Sequence, residues 1–193
     1  MVNFANFLTI SRIVATPLLV LLMLADFPMA MWTALALYIV IALTDWLDGY
    51  IARAYNQGSD FGRVMDPIAD KILVAAMFVA LAANHVLYGW WLALPIFILI
   101  REFMVAGLRE YLGAKNVAVH VSKLAKWKTT TQMIALGFLV AGKDIPEAQN
   151  CGLLLLALAT MLTIITGWDY ARGAKAISHR NGAEMPCIRT DST

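Results

Sequence analysis

The chain has 193 residues, of which 61% are hydrophobic and only 15% charged, and its mean hydropathy is +0.70. Soluble domains are roughly half apolar and about a quarter charged, so this composition excludes an ordinary soluble protein and indicates a membrane protein. The net charge of +2 gives no sign of a nucleic-acid partner, and Cys151 and Cys187 are too few and too far apart for a disulfide framework or a zinc site.

Six apolar segments follow one another along the chain, each near the roughly 20 residues that a helix needs to cross a bilayer. They cover roughly residues 8–25, 29–51, 62–84, 88–112, 122–142 and 149–171. The first segment resembles a signal peptide, but it lacks a basic start and a small-residue cleavage site. The fourth and fifth resemble buried helices of a soluble protein, but six such segments leave too little polar surface for one. We therefore expect an all-α integral membrane protein with six transmembrane helices.

Lysine and arginine concentrate in alternate connections between the segments. They are Arg53 and Arg63 after the second segment, Arg109, Lys115, Lys123, Lys126 and Lys128 around the fourth gap, and Arg172, Lys175 and Arg180 after the sixth. The opposite connections carry Lys143 alone. The positive-inside rule then predicts that both termini are cytoplasmic. We expect one domain over residues 1–177 and a disordered cytoplasmic tail over residues 178–193.

This topology gathers most of the charged residues at the cytoplasmic ends of the segments. Acids lie on segments 2 and 3, and bases with one acid lie on segments 4 and 5: Asp45, Asp48, Asp66 and Asp70 against Arg101, Glu102, Arg109, Lys126 and Lys128. Ionised side chains at membrane depth are costly unless they face a partner or a polar cavity. We therefore expect the helices to surround a cytoplasm-facing polar cavity with one acidic and one basic wall.

The acids are spaced to act together. Asp45 and Asp48 are three residues apart and Asp66 and Asp70 are four apart, so each pair lies on one helix face. Crowded carboxylates repel each other unless a cation neutralises them. An all-oxygen ligand set suits Mg²⁺ or Mn²⁺ rather than zinc. Such ions commonly neutralise phosphate oxygens. A phosphate-handling metal site is therefore indicated.

Other residues in the same region support or weaken that interpretation. The small residues Gly49, Ala52 and Gly62 extend the two acidic stripes and leave space for a ligand close to the backbone, and the fork of Arg53 suits a phosphate. Two plainer interpretations stay open for the acids. Asp66 before a proline is also typical of a helix N-cap, and the pair on segment 2 is also typical of interfacial acids at a helix end.

The acidic motif resembles the signature of the CDP-alcohol phosphotransferases. The pattern D-x-x-D-G-x-x-A-R, eight residues, G-x-x-x-D-x-x-x-D runs from Asp45 to Asp70 without a departure. The resemblance implies a six-helix membrane enzyme, commonly a homodimer, that displaces CMP from a CDP-linked lipid with an acceptor hydroxyl. It implies metal ligation by all four acids of the motif, with Asp70 also the catalytic general base. It further implies a CDP site lined by Gly49, Ala52, Arg53, Gly62 and Asp66.

Three further stretches resemble the bacterial branch of this family that uses CDP-diacylglycerol and glycerol 3-phosphate. They read NFLTISR over residues 6–12, IREFMVAGLREYL over residues 100–112 and KLAKWKTTTQM over residues 123–133. This resemblance implies an enzyme of phospholipid biosynthesis in the bacterial inner membrane. It places the acceptor phosphate near four bases, with two N-terminal contributors: Arg101, Arg109, Lys126 and Lys128, then Thr9 and Arg12.

Each of these acceptor residues also has an alternative interpretation. Arg109, Lys126 and Lys128 are equally typical of positive-inside anchors at the membrane surface. Arg101 and Glu102 lie deeper, and their alternative role is structural support by pairing with other buried charges. For the two N-terminal residues the alternative is an ordinary interfacial helix start. Inositol phosphate as the acceptor is the alternative within the family. A divalent-cation channel or carrier is the alternative from another class.

Overall fold

A computed structural model of the chain describes residues 4–55, 60–114 and 123–183. In these ranges the regular elements are helical, which confirms the all-α architecture predicted from the sequence. The helices are α1 Phe4–Leu24, α2 Ala30–Tyr55, α3 Asp60–Ala83, α4 Ala93–Ala114, α5 Lys123–Ala141 and α6 Pro146–Ala183, with a 3₁₀ turn over Gly89–Leu92 before α4.

The helices pack as a bundle around one apolar core. Helix α1 contacts α2 and α3, α2 contacts α5, α5 packs along α6 in the most extensive of these interfaces, and α6 contacts α4. On α3 the fully buried residues Leu73, Met77 and Leu81 repeat every four positions, so they form one stripe that faces the core. Leu19 and Met23 of α1 repeat in the same way. The apolar spacing in the sequence therefore decides which face of each helix is buried.

The outward faces of α4 and α6 are also apolar. Two stretches, Gly89–Tyr111 and Pro146–Trp168, are long and apolar enough to cross a membrane, and only 11% and 39% of their most apolar windows are buried in the bundle. A core helix of a soluble protein would be mostly buried, and a signal sequence would lie near the N-terminus. Since neither description fits, these helices support a membrane protein. Thr9–Leu24 and Ala30–Asp45 are shorter apolar stretches, so the count of six spans stays a prediction.

Three interhelix connections meet at one end of the bundle. The Asn84 side-chain amide donates hydrogen bonds to the Met23 carbonyl oxygen at 2.9 Å, and Lys143 Nζ donates to Asn84 Oδ1 at 2.7 Å. Gln149 Nε2 donates to the Val86 carbonyl oxygen at 2.9 Å. These bonds join the C-terminal end of α1 to the turns after α3 and α5, so successive helices run in alternating directions. The charged residues of the predicted site lie towards the opposite end.

One interpretation and one boundary differ from the sequence-based expectations. Helix α3 begins at Asp60, so Asp66 and Pro67 lie inside the helix, and the N-cap interpretation of Asp66 is wrong. Helix α6 continues to Ala183, past residue 178, where the polar tail was predicted to begin. Residues 184–193 of that tail lie outside the described residues.

Candidate functional site

Two side chains of helix α1 form hydrogen bonds with three acids on two other helices. Arg12 Nη1 donates to Asp70 Oδ1 at 2.7 Å, and Arg12 Nη2 donates to Asp45 Oδ1. Thr9 Oγ1 donates to Asp66 Oδ1 at 2.5 Å. Thr9 and Arg12 are three residues apart and therefore lie on one face of α1. We call these five residues the acidic cluster.

Burial in the acidic cluster is unequal. The Arg12 side chain is only 5% exposed, whereas the side chains of Asp45 and Asp70 are 40% and 48% exposed. A second threonine steadies the helix at this point, because Thr16 Oγ1 donates to the Arg12 carbonyl oxygen at 2.9 Å. The guanidinium thus reaches the carboxylates from the protein side, while their outer parts remain open to solvent or ligand.

The acidic cluster has the chemistry expected of a site for a hard divalent cation. Among the described residues, the hydrogen bonds to these three carboxylates reach their Oδ1 atoms and leave the Oδ2 atoms without a partner. Carboxylate oxygens are the ligands that Mg²⁺ and Mn²⁺ prefer. Among the described side chains, however, no three acidic, histidine or cysteine residues come close enough together to hold a metal ion. Asp48, the fourth acid of the motif, is not among them, so metal ligation stays a prediction.

Several predicted site residues cannot be assessed in the same way. The side chains of six of them lie outside the described part of the structure: Asp48, Gly49, Ala52, Arg53, Gly62 and Lys126. Their backbone lies in helices α2, α3 and α5. The predicted CDP site therefore remains a prediction, apart from the position of Asp66.

A second group of polar residues joins α4, α5 and α6. Arg101 Nη1 donates to Glu102 Oε1 at 3.1 Å, and Lys128 Nζ donates to the same oxygen atom. Arg101 Nη2 donates to Thr166 Oγ1 of α6 at 2.9 Å. We call Arg101, Glu102, Lys128 and Thr166 the basic cluster. The structural interpretation of Arg101 and Glu102 predicted pairing with other buried charges, and the ion pair between Glu102 and Lys128 is of that kind.

The basic cluster carries more positive than negative charge, because two cations share one carboxylate. Lys71, the residue after Asp70, lines one cavity between α3 and α4 together with Phe103, the residue after Glu102. The two clusters are therefore neighbours at the same end of the bundle. Arg109 is exposed and forms no ion pair with Glu102.

The cavity between α3 and α4 differs from the polar one that we predicted. It has a volume of about 380 Å³, and its lining is mainly apolar: Ile68, Lys71, Ile72, Ala75, Phe103 and Ala106. Residues of α3 and α4 face each other across this cavity, beside Lys71. A polar cavity between the two clusters stays a prediction.

Sequence reasoning did not find Thr166. Its signal is nevertheless present, because threonines recur at positions 160, 163 and 166 within an otherwise apolar segment, and all three are buried. Three-residue spacing places them near one face of α6. A buried hydroxyl on such a face is a candidate partner for a charge on a neighbouring helix.

Comparison with known proteins agrees with the motif. Residues 2–166 match the family model described as CDP-alcohol phosphatidyltransferase. A protein of Rickettsia bellii is 42% identical over 177 residues, which cover 90% of this chain and 96% of the relative. Relatives in Cereibacter sphaeroides and Escherichia coli strain K12 are 38% and 35% identical and cover 88% and 90% of this chain, and 94% and 96% of their own lengths.

All three relatives are named CDP-diacylglycerol--glycerol-3-phosphate 3-phosphatidyltransferase. The acidic motif, the all-helical bundle and the match over most of the chain agree with one another, and the chain therefore belongs to the CDP-alcohol phosphatidyltransferase family.

Proposed function

We propose that the protein transfers the phosphatidyl group of CDP-diacylglycerol to glycerol 3-phosphate, which releases CMP and forms phosphatidylglycerophosphate. The observation that carries this proposal is the neighbouring placement of the two clusters, one with excess carboxylates and one with excess cations. Such a pair suits a reaction in which a nucleotide-linked lipid and an anionic acceptor meet. The names of the relatives support the same substrates.

On the acidic side, Asp45, Asp48, Asp66 and Asp70 hold a divalent cation of the kind on which this family generally depends. When bound, the cation neutralises phosphate charge on the CDP-lipid and on the departing CMP. Asp45→Asn and Asp66→Asn are expected to weaken metal dependence and nucleotide binding together. On the same side Gly49, Ala52, Arg53, Gly62 and Asp66 bind the CDP group.

Asp70 serves as the general base. The acceptor hydroxyl attacks the phosphorus that carries the diacylglycerol, the bond to CMP breaks, and the proton of the hydroxyl passes to Asp70. Two features of the described side chain support this role. About half of the Asp70 side chain is exposed, and Arg12 occupies only one of its oxygen atoms. Arg12 and Thr9 position the carboxylates and do not themselves take the proton.

On the basic side, Arg101, Arg109, Lys126 and Lys128 bind the phosphate of the acceptor. Glycerol 3-phosphate offers almost no apolar surface, so its affinity comes from charge-assisted hydrogen bonds. Glu102 holds Arg101 and Lys128 in place. Because these two cations share one carboxylate, a net positive charge remains that attracts the phosphate.

The proposal includes an orientation in the membrane. Six spans in the bacterial inner membrane, with both termini cytoplasmic, would open both clusters to soluble glycerol 3-phosphate and CMP, and the enzyme would act as a homodimer. Labelling of single cysteines in a version without Cys151 and Cys187 tests the orientation. Labels near Asn84 and Asp144 should react from outside sealed cells, whereas external labelling near Ala114 would overturn it.

The decisive experiment measures CMP release by the purified protein in CDP-diacylglycerol vesicles. Glycerol 3-phosphate, inositol phosphate and serine are compared as acceptors, with and without a metal chelator. We expect release only with glycerol 3-phosphate and metal. Release with inositol phosphate instead would replace the acceptor, and metal flux without CMP release would favour a channel or carrier.

A further inference from the structure

The surroundings of Arg101 explain how a long side chain can be held still. Its guanidinium is hydrogen-bonded to residues of two helices, since Nη1 donates to Glu102 on α4 and Nη2 donates to Thr166 on α6. Thr166 is itself held, because its hydroxyl donates to the Leu162 carbonyl oxygen at 2.7 Å. The hydroxyl therefore presents its oxygen to Arg101 in one direction.

Gly167 supplies the second part of this arrangement. A Cβ atom at position 167 would lie 2.9 Å from Arg101 Cγ and 3.1 Å from Arg101 Nε. Both distances are below the roughly 3.5–4.0 Å at which carbon atoms normally pack. The stem of Arg101 therefore crosses α6 at a point where only a glycine leaves room for it.

The number of donors on Arg101 shows what this arrangement leaves for a ligand. A guanidinium has five N–H donors in a fixed plane. Two are used by Glu102 and Thr166, and Nε is buried without a partner among the described residues. The remaining two lie on the terminal nitrogens and have no partner in the described part of the chain. The contacts that fix the plane of the guanidinium also fix the direction of these two donors.

We propose that Thr166 and Gly167 are positioning residues. They hold Arg101 in the orientation in which its two remaining N–H groups donate to the phosphate of the acceptor. This inference rests on the proposed function and adds two residues of α6 to it. Pre-organisation lowers the ordering cost of binding. Substitution of either residue should therefore weaken binding of the acceptor and leave binding of the CDP-lipid unchanged.

The test measures KM for glycerol 3-phosphate and for CDP-diacylglycerol, together with kcat, in Thr166→Val, Thr166→Ser and Gly167→Ala. Thr166→Val and Gly167→Ala should raise KM for glycerol 3-phosphate about tenfold, because a hydrogen bond to a charged group is lost or displaced. KM for CDP-diacylglycerol should stay within about twofold of wild type. Thr166→Ser keeps the hydroxyl and should restore the acceptor KM.

Thr160→Val is the matched control. Thr160 is a buried threonine of the same helix whose hydroxyl donates to the Leu156 carbonyl oxygen at 2.8 Å, and no bond joins it to Arg101. An equal rise in acceptor KM in this variant, or an unchanged KM in Thr166→Val, would overturn the proposal. If Gly167→Ala fails to fold, the comparison of valine and serine at position 166 still decides.

A double-mutant comparison separates this inference from the proposed function. In protein that carries Arg101→Ala, Thr166→Val should add almost no further change in acceptor KM. A full additional tenfold rise would show that Thr166 acts without Arg101. The proposed function is judged separately, because it fails if the wild-type protein releases no CMP with glycerol 3-phosphate.

Discussion

The acidic and basic clusters differ in which of their charged side chains are buried. In the acidic cluster the buried member is the cation, since Arg12 is 5% exposed while its partners Asp45 and Asp70 are 40% and 48% exposed. In the basic cluster the side chains of Arg101, Glu102 and Lys128 are all largely enclosed, at 15%, 20% and 6% exposed.

This difference teaches which cluster can exchange partners. A buried charge that loses its partner is strongly destabilising, because nothing else solvates it. A half-exposed carboxylate that loses its partner is still solvated by water. The acidic cluster is therefore suited to rearrange around a cation and a phosphate group, whereas the basic cluster is suited to keep one geometry.

The largest effect is expected for Asp70→Asn. The amide keeps an oxygen atom for Arg12 but cannot accept the acceptor's proton, so CMP formation should fall by roughly 10²- to 10⁴-fold. The variant should still fold and bind CDP-diacylglycerol, which equilibrium binding measures. Asp26→Asn, an exposed acid at the other end of the bundle, is the control and should have wild-type turnover. Turnover of Asp70→Asn within about threefold of wild type would remove the base role.

The contrast between the clusters predicts unequal losses of stability. Glu102→Gln leaves two enclosed cations without a carboxylate and should lower the free energy of unfolding by about 3–5 kcal/mol. Arg12→Gln leaves half-exposed carboxylates, which water or a divalent cation can solvate, and its loss should be smaller. Unfolding in detergent, with and without Mg²⁺, measures both. Equal losses of unfolding free energy in the two variants, or a larger loss in Arg12→Gln, would mean that burial does not distinguish the clusters.

A third prediction concerns the division of substrates between the two sides. Arg109→Ala and Lys126→Ala should each lower kcat/KM for glycerol 3-phosphate by about ten- to a hundredfold, because a charged hydrogen bond is lost. Arg53→Ala should instead weaken binding of CDP-diacylglycerol. Steady-state kinetics with each substrate varied in turn separates these outcomes. Unchanged acceptor KM in folded Arg109→Ala and Lys126→Ala would identify these residues as membrane anchors.

The smallest effect is expected at the far end of the bundle. Asn84 joins the C-terminal end of α1 to the turns after α3 and α5, so Asn84→Ala should lower the free energy of unfolding by about 1 kcal/mol through its lost hydrogen bonds. Its kcat/KM should match wild type, since neither cluster is touched. A clear loss of activity at unchanged stability would mean that the two ends are coupled.

Much of the helical architecture could be predicted because apolar runs of about 20 residues are a local signal. The observed bounds of α3, Asp60–Ala83, and α5, Lys123–Ala141, lie close to the predicted segments. The role of Asp66 was harder to predict, because an acid directly before a proline is also typical of a helix N-cap. The observed start of α3 at Asp60 excludes that role.

The sequence by itself determined the family, the spacing of the acids from Asp45 to Asp70 and the helices that carry them, because these depend on residues close together in the chain. The tertiary structure decided the partners. Arg12 meets Asp45 and Asp70 across 33 and 58 residues, and Arg101 meets Thr166 across 65. Such pairs are set by which helix faces lie together in the bundle, and helical periodicity within one segment carries no information about its neighbour.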